Sequence, residues 1–407
     1  MPAFGYKSYL QLGKEGTFGT KPTFLSHRLE LISANIQPVA GQIPDPSLNN
    51  ARSRRAIYEG AKVYRGNLVF RMNYDGGLME LARNLFSGYS SATVESGVVD
   101  HTMKEGTTEV SHSLELGIGD MPAGKVFLLT GVKVPRIVVR ATAGQGAEAM
   151  LQAEVGVFAR DMQSDQTPTK AIADIGTLTI PASPTHNTIT RATGSFVTDG
   201  VKVGMVISNT FFPTGAYVTI VAATTLTIST FSTDGASHTG QTVSFYGALP
   251  TLAPVLYHQA ITVDDGQDTL SESVRVRSFD ITMEAPRAED RFYMSSKNPD
   301  EAIPNEFVAM RWQMVEEFLS KKTFDAIRNY PATAPSPKLL FQHPDTIGAS
   351  SKREFELRAG SAEYVDWSAP VEGYGIVLST VTMEGFQDPT DLAATVMRFR
   401  NTDAALA

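Results

Sequence analysis

The sequence predicts a mainly β protein in which two similar halves flank an inserted β module. Apolar residues fall in short alternating runs, helical spacing occurs in two places, and those places hold the same position in two strings of strands. Runs rich in Val, Ile, Thr and aromatic residues, bounded by Gly, Pro, Asn or Asp, predict strands at residues 9–12, 29–32, 67–72, 113–118, 136–141 and 151–158. A helix is expected over 78–86, where Asp75 is a good N-cap and Leu78, Leu81, Ala82 and Leu85 form one stripe up to Phe86. A second is expected over 316–329, with Phe318, Leu319, Phe324 and Ile327 on its apolar side.

The first string reads strand 67–72, helix, variable loop, then strands 114–116, 136–141 and 151–158. The second reads strand 307–314, helix, variable loop, then strands 355–357, 377–382 and 392–399. A single offset of 241 residues pairs Glu115, Leu116 and Gly119 with Glu356, Leu357 and Gly360, and Gly144 with Gly385. It also pairs Leu151, Ala153, Val155 and Phe158 with Leu392, Ala394, Val396 and Phe399. Unrelated strand-rich segments can reach as many identities, so the shared element order carries the reading.

Between the halves, residues 175–247 are Thr-rich, hold only Arg191 and Lys202 as basic residues, and show five short strand-like runs near Thr188, Val203, Tyr217, Leu226 and Val243. The turn pairs Asp199-Gly200 and Asp234-Gly235 separate them, as in a small barrel or an Ig-like sandwich. The expected domains are therefore 1–170, 171–250 and 251–407. Residues 39–63 and 284–304 are long polar stretches without a convincing element, which compact domains rarely carry unless the stretch binds something; each is a candidate assembly arm.

At 407 residues the chain exceeds the roughly 250–300 residues at which one core stops growing. A formal charge of -8, from 43 acidic and 35 basic residues, argues against a general nucleic-acid binder. The absence of cysteine excludes disulfides, thiolate metal sites and cysteine nucleophiles together. The amino terminus shows no signal-peptide pattern and no run of about 18 apolar residues occurs, so a soluble protein without membrane segments is expected.

Motifs that would carry chemistry are weak. Gly119 to Lys125 has the spacing of a phosphate-binding loop, but Val126 stands where Ser or Thr would hold magnesium, Pro122 removes a donor, and a strand pattern follows. Seven scattered histidines never fall at i, i+4. Asp264, Asp265, Asp268 and Glu272 lack the ligand alternation of a calcium loop. No catalytic, cofactor or metal site is expected. The basic run Arg52, Arg54, Arg55, Lys62 and Arg65 is read as an inter-subunit arm whose cations pair with a neighbour's carboxylates.

The opening, Tyr9-Leu10-Gln11-Leu12-Gly13 followed by Glu15-Gly16-Thr17-Phe18-Gly19-Thr20, resembles the start of the tail tube proteins of long-tailed bacteriophages, and the element order over residues 1–165 and 251–402 is similar. The resemblance implies two tandem β-sandwich or half-barrel domains, each with one short helix, with the module as an outer decoration. It implies a structural virion protein, not an enzyme, assembled in the host cytoplasm into stacked rings through which DNA passes. The expected partners are its own copies, as a trimeric pseudo-hexamer or a hexamer, together with the tape measure, terminator and tip proteins. Gln152, Glu154 and Thr395 are its candidate lumen-facing residues. A secreted or surface adhesin that binds carbohydrate is the alternative.

Overall fold

The computed structural model describes residues 8–45, 57–118, 125–144, 146, 149–248, 253–264, 276–294, 296–318, 322–329, 335–371, 376–387, 393–403 and 406. It is mainly β, as the alternating runs predict. In chain order come β1 (Tyr9–Lys14), β2 (His27–Leu29), β3 (Leu31–Pro44), β4 (Ile57–Arg71), helix α1 (Leu78–Phe86), β5 (Tyr89–Glu95), β6 (Val98–Lys104), β7 (His112–Ile118), β8 (Lys125–Thr142), β9 (Gln152–Ala159) and β10 (Asp161–Gln166). The Thr-rich stretch holds β11 (Ile175–Ile180), β12 (Thr188–Arg191), β13 (Met205–Ser208), β14 (Val218–Val221), β15 (Thr225–Ile228) and β16 (His238–Ala248). There follow β17 (Ala260–Asp264), β18 (Val276–Glu284), β19 (Arg287–Ala288), β20 (Ile303–Pro304), β21 (Ala309–Glu317), helix α2 (Lys322–Asn329), β22 (Lys338–Thr346), β23 (Lys352–Ala359), β24 (Ser361–Ser368), β25 (Leu378–Phe386) and β26 (Thr395–Asn401).

The chain forms two compact units that do not follow its order. The first comprises Met1–Leu31, Ser111–Val132 and Ala159–Leu252; the second comprises Ile32–Val110, Lys133–Phe158 and Ala253–Ala407.

In the first unit β1 pairs with β2 and β7, β7 with residues 125–131 of β8 and, beyond a register shift, Val132, and this part of β8 with β10. The Thr-rich stretch closes on itself: β13 pairs with β16, β16 with β11, β11 with β12, β12 with β15 and β15 with β14. The bridge between Val206 and Tyr217, with bonds from Gly204 N to Val218 O and Ile207 N to Ala216 O, joins the last strand to the first. The result is a six-stranded barrel with its own core, including Leu178, Ile189, Phe196, Leu226 and Phe245. Its entry and exit lie side by side, since Ala171 N donates to Phe245 O.

The second unit is a sandwich. One sheet runs β3, β4, β9, β8, β18, β21, β25, β24, with residues 133–142 of β8 taking part. Its first two strands approach closely because glycines permit it: a Cβ on Gly66 would stand 1.8 Å from Asn35 O. The other sheet runs β17, β22, β23, β26, β6, β5. Alternation on β21 sends Met310, Trp312 and Met314 inward. Phe279 of the first sheet meets Phe341 of the second at 6.1 Å between ring centroids, and Phe355 and Phe399 continue the cluster.

One pairing scheme occurs twice. β1, β7, β8 and β10 pair in the order that β17, β22, β23 and β26 follow, and β3, β4, β9 and β8 in the order that β18, β21, β25 and β24 follow. Gly131, at φ +63 within β8, stands where Gly360 separates β23 from β24. This overturns the residue register of the 241-residue offset. Glu115 belongs to β7 and Glu356 to β23, which hold different places in the scheme, and β9 matches β25, not β26. Identities between strands of similar composition misled the alignment, whereas hydrogen-bonded neighbours define it.

Three further expectations change. The helix over 78–86 is found, but its N-cap is Gly77; Asp75 instead accepts from Arg353 Nε at 3.1 Å. The second helix begins at Lys322, because residues up to Glu317 continue β21. Of residues 39–63, expected to lack an element, 39–44 belong to β3 and 57–63 to β4, which form a ribbon there, and the rest up to residue 56 lie outside the described residues apart from Asp45; within 284–304, β19 pairs with β20. Among the described residues no helix is long and apolar enough to cross a membrane.

Candidate assembly surface

The larger sheet of the second unit has one face turned inward and one turned to solvent. On the solvent face, Arg136 of β8 meets Glu284 of β18 at 3.3 Å, Arg140 meets Glu154 of β9 at 3.5 Å, and Asn67 of β4 donates to Glu154 at 3.2 Å. Arg311 stands directly opposite Glu384 in the β21–β25 ladder. A shallow hollow of about 400 Å³ lies among Arg136, Glu284, Arg311 and Glu384. Charges of both signs stand among Thr and Gln, and several of them pair within the chain, so the face is hydrated.

Gln152 and Glu154 lie on this face. Thr395 does not: it is fully buried in β26 of the other sheet, with its N–H donating to Glu105 and its hydroxyl against Met310 Sδ. Its neighbour Arg398 belongs to an ion network on β6, β23 and β26, held by Glu356 at 2.6 Å, Asp100 at 3.1 Å and Glu354 at 3.2 Å. Burial opposes ionisation of Asp100, but Arg400 and Arg398 outweigh it and hold the carboxyl below its ordinary range.

Of the basic run, Arg52, Arg54 and Arg55 lie outside the described residues. Lys62 pairs with Glu59 and Arg65 with Glu289 at 2.7 Å, both within the chain. Gly119 to Gly124 also lie outside; Lys125 opens a strand. Asp265, Asp268 and Glu272 lie outside too, and among the described residues no group of His, Asp and Glu is placed to hold a metal.

The junction between the two strand sets is a seam of direct pairs from Ser278 opposite Thr142 to Glu284 opposite Arg136. The order of strands ends in β3 on one side and β24 on the other. β24 pairs with β25 from Ser361 to Ser368, and at its start Ala362 N donates to Pro335 O. The ribbon beside β3 exposes Val39, Ile43, Ile57 and Tyr58, each about half exposed. A two-stranded ribbon with apolar residues in water is marginal alone and gains from being covered.

The amino-terminal motif has a structural explanation that sequence reading missed. Glu15 is buried, and its carboxylate accepts from Gly19 N, Ser111 Oγ, Ser113 Oγ and Gly131 N, all at 2.7–2.8 Å. The Gly-Thr turn thus wraps a carboxylate and pins β1 to β7 and β8. No family model matches this chain, and no curated protein matches it.

Proposed function

We propose that the protein is a non-enzymatic structural subunit whose copies join edge to edge into rings that stack as a hollow tube. The observation that supports this most is the seam between β8 and β18. It joins the last strand of one four-strand set to the first strand of an equivalent set. By the same scheme β24 is equivalent to β8 and β3 to β18, so each chain ends in the two kinds of edge that its own seam unites. Pairing β24 of one copy with β3 of the next repeats that seam, satisfies both edges and leaves none exposed once the ring closes.

Two equivalent sets per chain make three chains sufficient for a ring of six positions, so a trimeric pseudo-hexamer is the preferred assembly over a hexamer. The hydrated, charge-paired face lining such a ring would let a polyanion pass without binding it, which agrees with the resemblance to phage tail tubes and a passage for genomic DNA. In that setting the exposed ribbon packs against the adjacent ring, the barrel decorates the outside, and the tape measure, terminator and tip proteins are partners in the virion tail.

Electron microscopy of the purified protein tests the reading: rings or filaments with a central channel are expected, and a protein that stays monomeric at high concentration defeats it. Because the chain lacks cysteine, paired substitutions are clean probes. Glu363→Cys on β24 with Asn35→Cys or Gln37→Cys on β3 should give disulfide-linked ladders between chains, since paired strands bring Cα atoms within disulfide reach.

A further inference from the structure

We infer that charge sets the direction of assembly: the acidic strand set of one copy docks against the basic strand set of the next, and like-with-like edge pairing is disfavoured. This rests on the ring reading and adds to it the chemistry that selects the partner edge.

The solvent face of the larger sheet is divided electrically along the seam. The set β3, β4, β9, β8 carries Arg65, Arg136 and Arg140 there against Glu154 and, on the β3–β4 ribbon, Glu59. The set β18, β21, β25, β24 carries Asp280, Glu284, Glu363, Asp366 and Glu384 against Arg311, while Arg277 and Glu317 pair with each other. The chain's own junction brings the two signs together, with Arg136 on Glu284.

The open edges continue the pattern. Glu363 is the first exposed residue of β24 in the sheet, as Arg136 is of β8, so an acid stands at the position where the internal seam has a cation. The opposite edge, β3, has no charged residue at all, and the next strand in offers Arg65, about half exposed and shared with Glu289 of its own chain. Docking β24 onto β3 of another copy therefore faces Glu363 and Asp366 with a neutral edge backed by arginine. Docking β24 onto β24 would place these carboxylates against their own copies across a strand pair, where like charges directly opposed are destabilising. Two-fold closure is thereby penalised, and the heterologous contact that can close a ring is favoured.

The test uses the full chain with Glu363→Arg and Asp366→Arg together, at low and high salt, followed by analytical ultracentrifugation and electron microscopy. At low salt the concentration needed for rings should rise by about tenfold or more against the unchanged chain. Adding Arg65→Glu in the same chain should recover part of that loss, and about 1 M salt should narrow the gap by screening. Unchanged circular dichroism of the dissociated variant establishes that it folds. If the unchanged chain forms rings and the reversed chain forms them equally well at low salt, the inference is overturned while the ring reading stands. If the unchanged chain forms no rings, it is the ring reading that falls.

Discussion

Two buried carboxylates of the first unit and two half-buried ones of the second are held by different means. In the first, Glu15 is held by two serine hydroxyls and two backbone amides, and Glu115 by Tyr9 Oη, Gln11 Nε2, and the amide and hydroxyl of Thr169. All of these donors are neutral. In the second, Glu109 is paired with Lys133 and Arg287, and Asp100 with Arg398 and Arg400. Neutral donors need fixed geometry and respond little to salt, whereas ion pairs depend on both partners staying charged. The acids show it: burial pushes the Glu115 carboxyl up despite its four donors, while Glu109, also opposed by burial, is held down by Arg287, Ser87 and Lys133.

The largest effect is expected where a cation has no access to water. Lys133 is fully buried and bonds Glu109 at 3.0 Å, Glu301 at 2.6 Å and Val110 O at 3.0 Å. Lys133→Met leaves those acceptors behind and should lower the stability of the second unit by about 3–5 kcal/mol in denaturant titration. A loss below about 1 kcal/mol would mean that the ion cluster is not what holds the chain around Glu301.

Glu15→Ala comes next. It orphans four donors in the first unit and should cost about 2–3 kcal/mol, seen as faster amide exchange in β1 and β7 with β21 and β25 unchanged. Equal acceleration in both units would break the distinction between them.

Acid gives the smallest and most diagnostic effect. Asp100 and Glu109 have depressed folded values, so their contribution is present above the ordinary carboxylate value of about 4 and is lost as pH falls through the folded one. Glu115 has a raised folded value, so its contribution is full below the ordinary value and is lost as pH rises through the folded one. From neutral pH down to about 3, exchange corrected for intrinsic rates should increase in β6 and β26 while β1 and β7 hold. Parallel loss in both units would refute the assignment of opposite signs.

Much of the fold was legible because a half-buried strand records its two faces in alternating residues. β9 and β21 read directly, as did the stripe of α1 and all but one of the barrel strands. β3 did not, since most of its residues are exposed and its sequence has no apolar period to detect. Thr395 was misplaced for another reason: β26 alternates much as β9 does, and alternation does not say which sheet a strand joins. Glu15 was visible only as part of a Gly-Thr string, because its four donors come from three separate stretches of chain. The edge chemistry was hidden in the same way, as Arg136 and Glu284 become neighbours only through the seam.

The barrel carries an evolutionary consequence. Its two ends are stitched together by the bond between Ala171 and Phe245, and every strand in it has partners inside it. Such a cassette can be lengthened, exchanged for an unrelated domain or removed while the flanking chain sees the same short gap. The barrel is thus free to change at a different pace from the strands that flank it in the chain.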